Sequence, residues 1–321
     1  MAAKTTSRKF DVLCLGNIVA DAVGTGCDTI PEEGHLALFD KVEMHLGGCA
    51  NNTALALAKL GLKVALSAKV GTDGFGDYCA NYHRDAGVDI SGLVRSPKDS
   101  TSFSFIMVPR GGNRRILHTL AANATFGPKD IKRELFAQSK WVCLGGVAIM
   151  PTFDKNLKSI VRAAKKAGAC VAADTAINNR FTARDWRKLF EGSYEHLDIL
   201  FPSEFEAQAM TGEKDPEKIC ATLRKRGVRI AGVKLGEQGS ALMTDAGYFR
   251  VPIYRVKCVD TLGAGDCFMA GLLAGMVKGL DPVAAAKLGN AVSAHCVQAV
   301  GATTGIKPLA AIQSFQKRLD A

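Results

Sequence analysis

Phe10-Asp11-Val12-Leu13-Cys14-Leu15-Gly16 is an apolar run ending in glycine, and Gly47 to Leu60 answers it with an Ala/Leu pattern of helical period entered through two glycines. This order predicts a strand, an excursion and then a helix. Working outward, Lys63 to Val70 reads as a second buried strand, followed by the turn Gly71-Thr72-Asp73-Gly74 and a helix to about Ala86. The rhythm resumes with strands expected at Trp141 to Gly146, Ala169 to Asp174, Leu197 to Phe201 and Arg229 to Leu235, each separated by a helix-length segment. Strands alternating with helices predict an α/β fold whose mostly parallel sheet is flanked by helices on both faces.

Two stretches interrupt the rhythm. Ala20 to Leu46 has Gly, Pro and Asp turns with little helical period, and in Thr101 to Leu120 two alternating runs flank Gly111-Gly112-Asn113, a hairpin signal. Short antiparallel strands inserted into an α/β core predict a small β-sheet over the carboxyl ends of the main strands, where open α/β folds bind ligands. Residues 20–46 and 101–120 are therefore expected to form a lid on a single domain spanning 1–321. No repeat, low-complexity tract or linker divides the chain.

The 321 residues are 47% hydrophobic and 22% charged, enough for a sizeable core and unlike a disordered, collagenous or disulfide-stapled chain. No uncharged apolar run reaches the roughly 20 residues of a spanning helix; Met269 to Val277 is bracketed by Asp266 and Lys278. Met1 to Phe10 lacks the apolar centre of a secretory leader. The ten cysteines include neither a C-x-x-C pair nor zinc-finger spacing. A cytoplasmic protein with reduced thiols is expected. The net charge of +10 admits nucleic acid or anionic small molecules as partners. The basic spots Arg114-Arg115 and Arg224-Lys225-Arg226 lie far apart and lack interleaved aromatics, which argues against nucleic acid.

Val259-Asp260-Thr261-Leu262-Gly263-Ala264-Gly265-Asp266-Cys267-Phe268 opens a helix-length apolar run to Val277. Two glycines and an alanine let the backbone approach a ligand, and the helix behind them aims free N–H groups and its positive dipole end at the same point. Gly263, Ala264, Gly265 and Asp266 thus form an anion cradle. Asp266 falls in the first turn, where the dipole should help keep it ionised and able to take a proton. A carboxylate base beside an anion cradle suits phosphoryl transfer to a hydroxyl, because the acceptor loses its proton as the phosphoryl group leaves ATP. The alternative is that Asp266 only caps the helix and the glycines only turn the chain; a bare Gly-x-Gly would favour that, the full string does not. Without any Gly-Lys dipeptide or G-x-G-x-x-G, the Walker A loop and the dinucleotide fingerprint are excluded.

The string Asp260 to Asp266 resembles the carboxyl-terminal signature of the PfkB-type carbohydrate kinases, a ribokinase-like family. Gly47-Gly48-Cys49-Ala50-Asn51-Asn52 through Lys59-Leu60-Gly61 resembles the amino-terminal signature, and the likeness runs from the first strand to Gly301-Ala302. The resemblance implies a ribokinase-like fold and an ATP-dependent sugar kinase in which Asp266 is the base and the Gly263 to Asp266 amides form the anion hole. It implies that Asp21 grips sugar hydroxyls, that Gly47 and Gly48 serve as hinge and acceptor contact, and that Asn52 hydrogen-bonds the sugar. Taken singly, Asp21 and Asn52 are as readily turn or cap residues. Val233-Lys234-Leu235-Gly236-Glu237-Gln238-Gly239 is similar to the strand and turn that lie along ATP, bringing in Lys234, Gly236 and Gly239, although a plain hairpin turn explains the glycines equally well. Asn290 and Gly301 resemble the wall of the adenine pocket. Glu206 matches the Glu of an Asn-x-x-Glu motif that acts indirectly on Mg²⁺, with Ser203 in place of the Asn, which implies altered affinity for Mg-ATP with activity retained. A K⁺ ion near Asp260 is a further implication.

For the acceptor, Gly145-Gly146 stands where a ribokinase has a sugar-binding Glu a little further on, which argues against ribose. Asp174 to Trp186, with Asn178, Asn179 and Arg180, is similar to the Asp-x-Asn-x-Arg stretch of fructokinases and keto-deoxy sugar acid kinases, or is a polar loop after a strand. A ketohexose such as fructose is the first expectation, with a sugar acid such as 2-keto-3-deoxygluconate, ribose or a nucleoside next. A non-catalytic sugar- or nucleotide-binding regulator is the reading of another class, and the intact cradle disfavours it. The expected partners are a small sugar and ATP, with no nucleic acid and no membrane, and the lid's edge strands predict a homodimer.

Overall fold

The computed structural model describes residues 8–111 and 113–320. In chain order the strands are β1 (Phe10–Gly16), β2 (Val19–Thr25), β3 (Lys41–Gly47), β4 (Val64–Gly71), β5 (Asp89–Ser96), β6 (Phe103–Val108), β7 (Arg115–Thr119), β8 (Ser139–Val147), β9 (Cys170–Thr175), β10 (Ile199–Leu200), β11 (Ile230–Lys234), β12 (Ser240–Thr244) and β13 (Gly247–Val251). Nine form a sheet in the order β13-β12-β11-β10-β9-β8-β1-β4-β5. It is parallel from β5 to β11 and antiparallel at the β12 and β13 edge. The two-residue period of β1 shows why it sits centrally. Val12 and Cys14 enter one core and Leu13 and Leu15 the other, all fully buried.

The first core lies under the helices Cys49–Lys59, Ala264–Val277 and Pro282–Cys296, the second under Leu157–Lys166, Glu204–Thr211 and Pro216–Lys225. Within Ala264–Val277 the residues Cys267 to Gly275 are all buried. Leu272 and Leu273, fully enclosed, contribute about 1.5–3 kcal/mol each. This helix meets Pro282–Cys296 through small residues: a Cβ on Gly271 would lie 2.8 Å from the Gly289 Cα, and one on Gly275 equally close to the Ala285 Cα. The two backbones therefore approach closely at these positions, with the Val292 and Phe268 side chains packed beside them.

The remaining strands form a separate sheet, β3-β2-β6-β7. β6 and β7 pair as the expected hairpin, whose Gly112 lies outside the described residues. Contrary to the antiparallel expectation, β2 and β6 run parallel. The chain passes through β4 and β5 between them, the long crossover that parallel pairing needs. The strand expected at Leu197 to Phe201 shortens to Ile199–Leu200, because the Asp198 carboxylate accepts the Val171 N–H (2.7 Å), replacing a ladder carbonyl, and Pro202 follows. No helix among the described residues is long and apolar enough to cross a membrane.

Candidate active site

Asn17, Asp174 and Lys234, at or just beyond the carboxyl ends of β1, β9 and β11, gather at the amino ends of helices Cys49–Lys59 and Ala264–Val277. Gly263 caps that helix in the left-handed region (φ 75°), and a Cβ there would stand 2.5 Å from Ala302 Cβ. The N–H groups of Gly265 and Asp266 find no acceptor among the described residues, while that of Ala264 donates to Thr261 O at 3.2 Å. Gly263's N–H likewise finds no acceptor among the described residues, so three of the four expected cradle amides are open and Ala264's is engaged.

Asp266 Oδ2 accepts from Asn52 Nδ2 at 2.7 Å, and Asn52 Oδ1 accepts from Asn51 Nδ2 at 2.9 Å. Asn52, expected to hold the acceptor, therefore holds the carboxylate, and Asn51 holds Asn52. Burial pushes the Asp266 carboxyl above its ordinary range; the Asn52 bond, the Lys234 charge and the Cys49 thiol pull the other way without prevailing. Burial thus sets the direction of the Asp266 shift, against which any help from the helix dipole would act.

Beneath the cradle, Lys234 Nζ meets both oxygens of Asp174, at 2.5 and 2.6 Å. β9 and β11 end one strand apart, with the short β10 between, so the two side chains face each other across it. Burial alone would lower the Lys234 pKa, but the Asp174 and Glu206 carboxylates reverse this and it stands raised. Asp174 is pushed up to about 7 by burial, partly offset by Lys234 and increased by Glu206 and Asp266. Glu206 is buried, and its Oε2 accepts from Thr175 Oγ1 and Ser203 N, both at 2.7 Å. The Ser203 hydroxyl beside it is buried without a hydrogen-bond partner.

On the other wall, Asp21 is buried on β2, and its carboxylate leans against Gly47 of β3, where a Cβ would lie 2.1 Å from it. Gly47 therefore makes room for Asp21. Gly48 (φ 98°) passes over Asn17 O, which would lie 2.7 Å from a Cβ there. The register sets His45, Asp21, Ser104 and His118 opposite one another across β3, β2, β6 and β7, a polar row on one face. Ser104 Oγ lies 3.0 Å from His118 Nδ1. Burial pushes Asp21 up to about 6, although Ser104 and His45 act to lower it. Asn17 Oδ1 accepts the amides of Cys49 and Ala50, fixing the start of helix Cys49–Lys59 from the end of β1.

On the nucleotide side of the sequence motifs, Gly239 (φ 85°) turns tightly over Val251 O, whereas Gly236 (φ 56°) faces open space. Asn290 spends its amide on Val251 O and Pro252 O, at 3.0 and 2.9 Å, and so anchors the end of β13. The Asp260 carboxylate accepts from Leu262 N (3.0 Å) and Gly301 N (3.1 Å), joining the cradle loop to the turn at Gly301. Arg114 of the small sheet's hairpin reaches Asp260 at 3.8 Å. Of the residues that sequence reasoning passed over as functional, Asn17 and Asp174 act on partners far along the chain, and Asn51 acts on its neighbour Asn52. A buried Asn-Asn pair at a helix start and a strand-terminal Asp are the signals that mark them.

The sequence profile described as pfkB family carbohydrate kinase matches residues 9–308. The chain is 26% identical over 327 aligned residues to a 5-dehydro-2-deoxygluconokinase of Clostridium perfringens, covering 97% of this chain and 94% of that one. It is 27% identical over 287 residues to a 2-dehydro-3-deoxygluconokinase of Bacillus subtilis, covering 84% and 86%. Among solved structures, Arabidopsis thaliana ribokinase complexed with ribose and ATP superposes with a TM-score of 0.85 at 25% identity, covering 96% of this chain and 99% of that one. With the profile spanning nearly the whole sequence, the chain belongs to the pfkB family of carbohydrate kinases, phosphotransferases that act on an alcohol group.

Proposed function

We propose that this sugar kinase transfers the γ-phosphoryl group of ATP to a hydroxyl of a small keto sugar, with Asp266 as the base. The observation that carries this reading is a carboxylate fixed by Asn52 at the amino end of a helix whose Gly265 and Asp266 amides are open. Asp266 accepts the hydroxyl proton while those amides, with Gly263 shaping the turn, receive the charge that gathers on the phosphoryl oxygens. The row of His45, Asp21, Ser104 and His118 offers alternating donors and acceptors suited to a polyol. Closure of the small sheet would keep water, a competing acceptor, away.

The donor set fits magnesium. Glu206 supplies a hard carboxylate, and the Ser203 hydroxyl beside it is unpartnered, so these two residues would hold the ion's waters. When bound, Mg²⁺ neutralises phosphate charge. The Asp260 oxygens accept from two loop amides and keep further lone pairs, so Asp260 and the backbone carbonyls near it would hold K⁺.

A ketohexose such as fructose is the first reading of the acceptor. A keto-deoxy sugar acid is the second, supported by the names of the two bacterial relatives and by Arg114, a cation beside the cradle loop. ADP release measured over ketohexoses, aldopentoses, keto-deoxy sugar acids and nucleosides should peak on one keto sugar; a peak on a nucleoside or an aldopentose overturns the acceptor reading.

The small sheet also leaves Val42, Met44 and Leu117 exposed on one face, next to Leu36, Leu38 and Phe39. This supports a homodimer built through that sheet. Light scattering should give twice the chain mass, and the substitution Leu117→Asp should halve it. A monomeric mass for the unaltered protein removes the proposal.

A further inference from the structure

Lys234 lies closer to the cradle than a strand-end lysine beside a nucleotide needs to be. A Cβ built on Gly265 would have three atoms nearest to it, and all belong to Lys234: Nζ at 3.2 Å, then Cε and Cδ. No Asp174 atom comes as near. The absence of a side chain at Gly265 thus lets the ammonium lie against the backbone that carries the open Gly265 and Asp266 amides. An ammonium has three N–H donors. The two Asp174 oxygens, at 2.5 and 2.6 Å, leave one of them for a ligand.

The pair is largely enclosed, Lys234 at 15% and Asp174 at 3% side-chain exposure. A buried ion pair is a poor source of stability, since desolvation consumes most of the attraction. β9 and β11 are in any case already joined through the ladder of β10. The arrangement acquires a purpose if the positive end of the pair is presented to an anion.

We propose that Lys234 is a catalytic residue that donates a hydrogen bond to the phosphoryl group in transit, and that Asp174 is the positioning residue that aims it. The inference rests on the kinase reading above. In the step, the bond between the γ-phosphorus and the β–γ bridging oxygen breaks and ADP leaves with that electron pair. A bond forms from the sugar oxygen to phosphorus, and the hydroxyl proton passes to Asp266. Lys234 neither gains nor loses a proton. Its charge is felt most when the phosphoryl group lies between the two oxygens, so its removal acts on kcat more than on KM.

The test is steady-state kinetics of Lys234→Met, Lys234→Arg and Asp174→Asn on the sugar that the unaltered enzyme phosphorylates best, with Asp266→Asn run in parallel. Lys234→Met should lose about 10²-fold or more in kcat, as for removal of one oxyanion donor, with sugar KM little changed. Lys234→Arg should recover part of the rate, and Asp174→Asn should fall between. If Lys234→Met leaves Asp174 unpaired and fails to fold, the double variant Lys234→Met/Asp174→Leu removes both charges and carries the same expectation. Full kcat in a folded Lys234 variant, while Asp266→Asn is inactive, overturns this proposal alone. Full kcat in Asp266→Asn overturns the base assignment instead.

Discussion

Asp266→Asn is expected to lower kcat by about 10³-fold, near the middle of the range for a lost general base, with a small effect on KM and on folding. The asparagine oxygen can still accept the Asn52 bond that holds the carboxylate at 2.7 Å, so the side chain keeps its place and loses only its proton affinity. A pH profile sharpens the test. Because burial holds the Asp266 carboxyl above its ordinary range, kcat should fall on acidification at a higher pH than an exposed aspartate would give. The base works only when ionised, so activity lies on the alkaline side of that limb. Asp21, pushed up to about 6, should add an acid limb near that pH to kcat/KM for the sugar. The variant should keep the Asp21 limb and lose the other; near-normal kcat in Asp266→Asn would remove the assignment.

The second large effect is expected from Gly263→Ala, and it falls on stability as well as rate. At φ 75° a side chain costs about 1–2 kcal/mol, and the new Cβ would stand 2.5 Å from Ala302 Cβ and 2.6 Å from its carbonyl oxygen. Backbone cannot swing aside as a flexible side chain does, which adds about 1–3 kcal/mol of overpacking. A loss of about 2–5 kcal/mol is expected, together with reduced kcat as the cradle loop shifts. Gly279 supplies the control. Its φ is 79°, yet nothing lies within 4 Å of a Cβ there, so Gly279→Ala should show the strain alone and leave kcat intact. Equal losses in urea unfolding for the two variants would mean that the approach to Ala302 is not what demands glycine.

The alternation of strands and helices was legible because each parallel strand is buried on both faces and so reads as an unbroken apolar run, as in β1 and β8. β5 escaped notice because, at the sheet's edge, its residues alternate only weakly between buried and half-buried. The β12 and β13 hairpin was masked by the glycines of the preceding turn. In the site, the cradle was legible because its donors are backbone groups contiguous in sequence. The Asn51 to Asn52 to Asp266 chain and the Lys234 pair with Asp174 were not, since each joins segments that only the sheet order brings together. The upward shift of Asp266 was not legible for a related reason: a helix dipole can be read from one segment, but burial depends on every segment packed around it.

The glycine contacts between Ala264–Val277 and Pro282–Cys296 have a mechanical meaning. Helices whose backbones meet this closely leave little room for rearrangement between them, which makes a rigid platform for Asp266. The opposite wall hangs from narrow tethers: Asn17 and Ile18 between β1 and β2, and Gly48 alone between β3 and the helix that carries Asn52. In the proposed reaction, then, the sugar travels and the base waits. A water molecule, too small to span the row at Asp21, has no grip with which to draw that wall in.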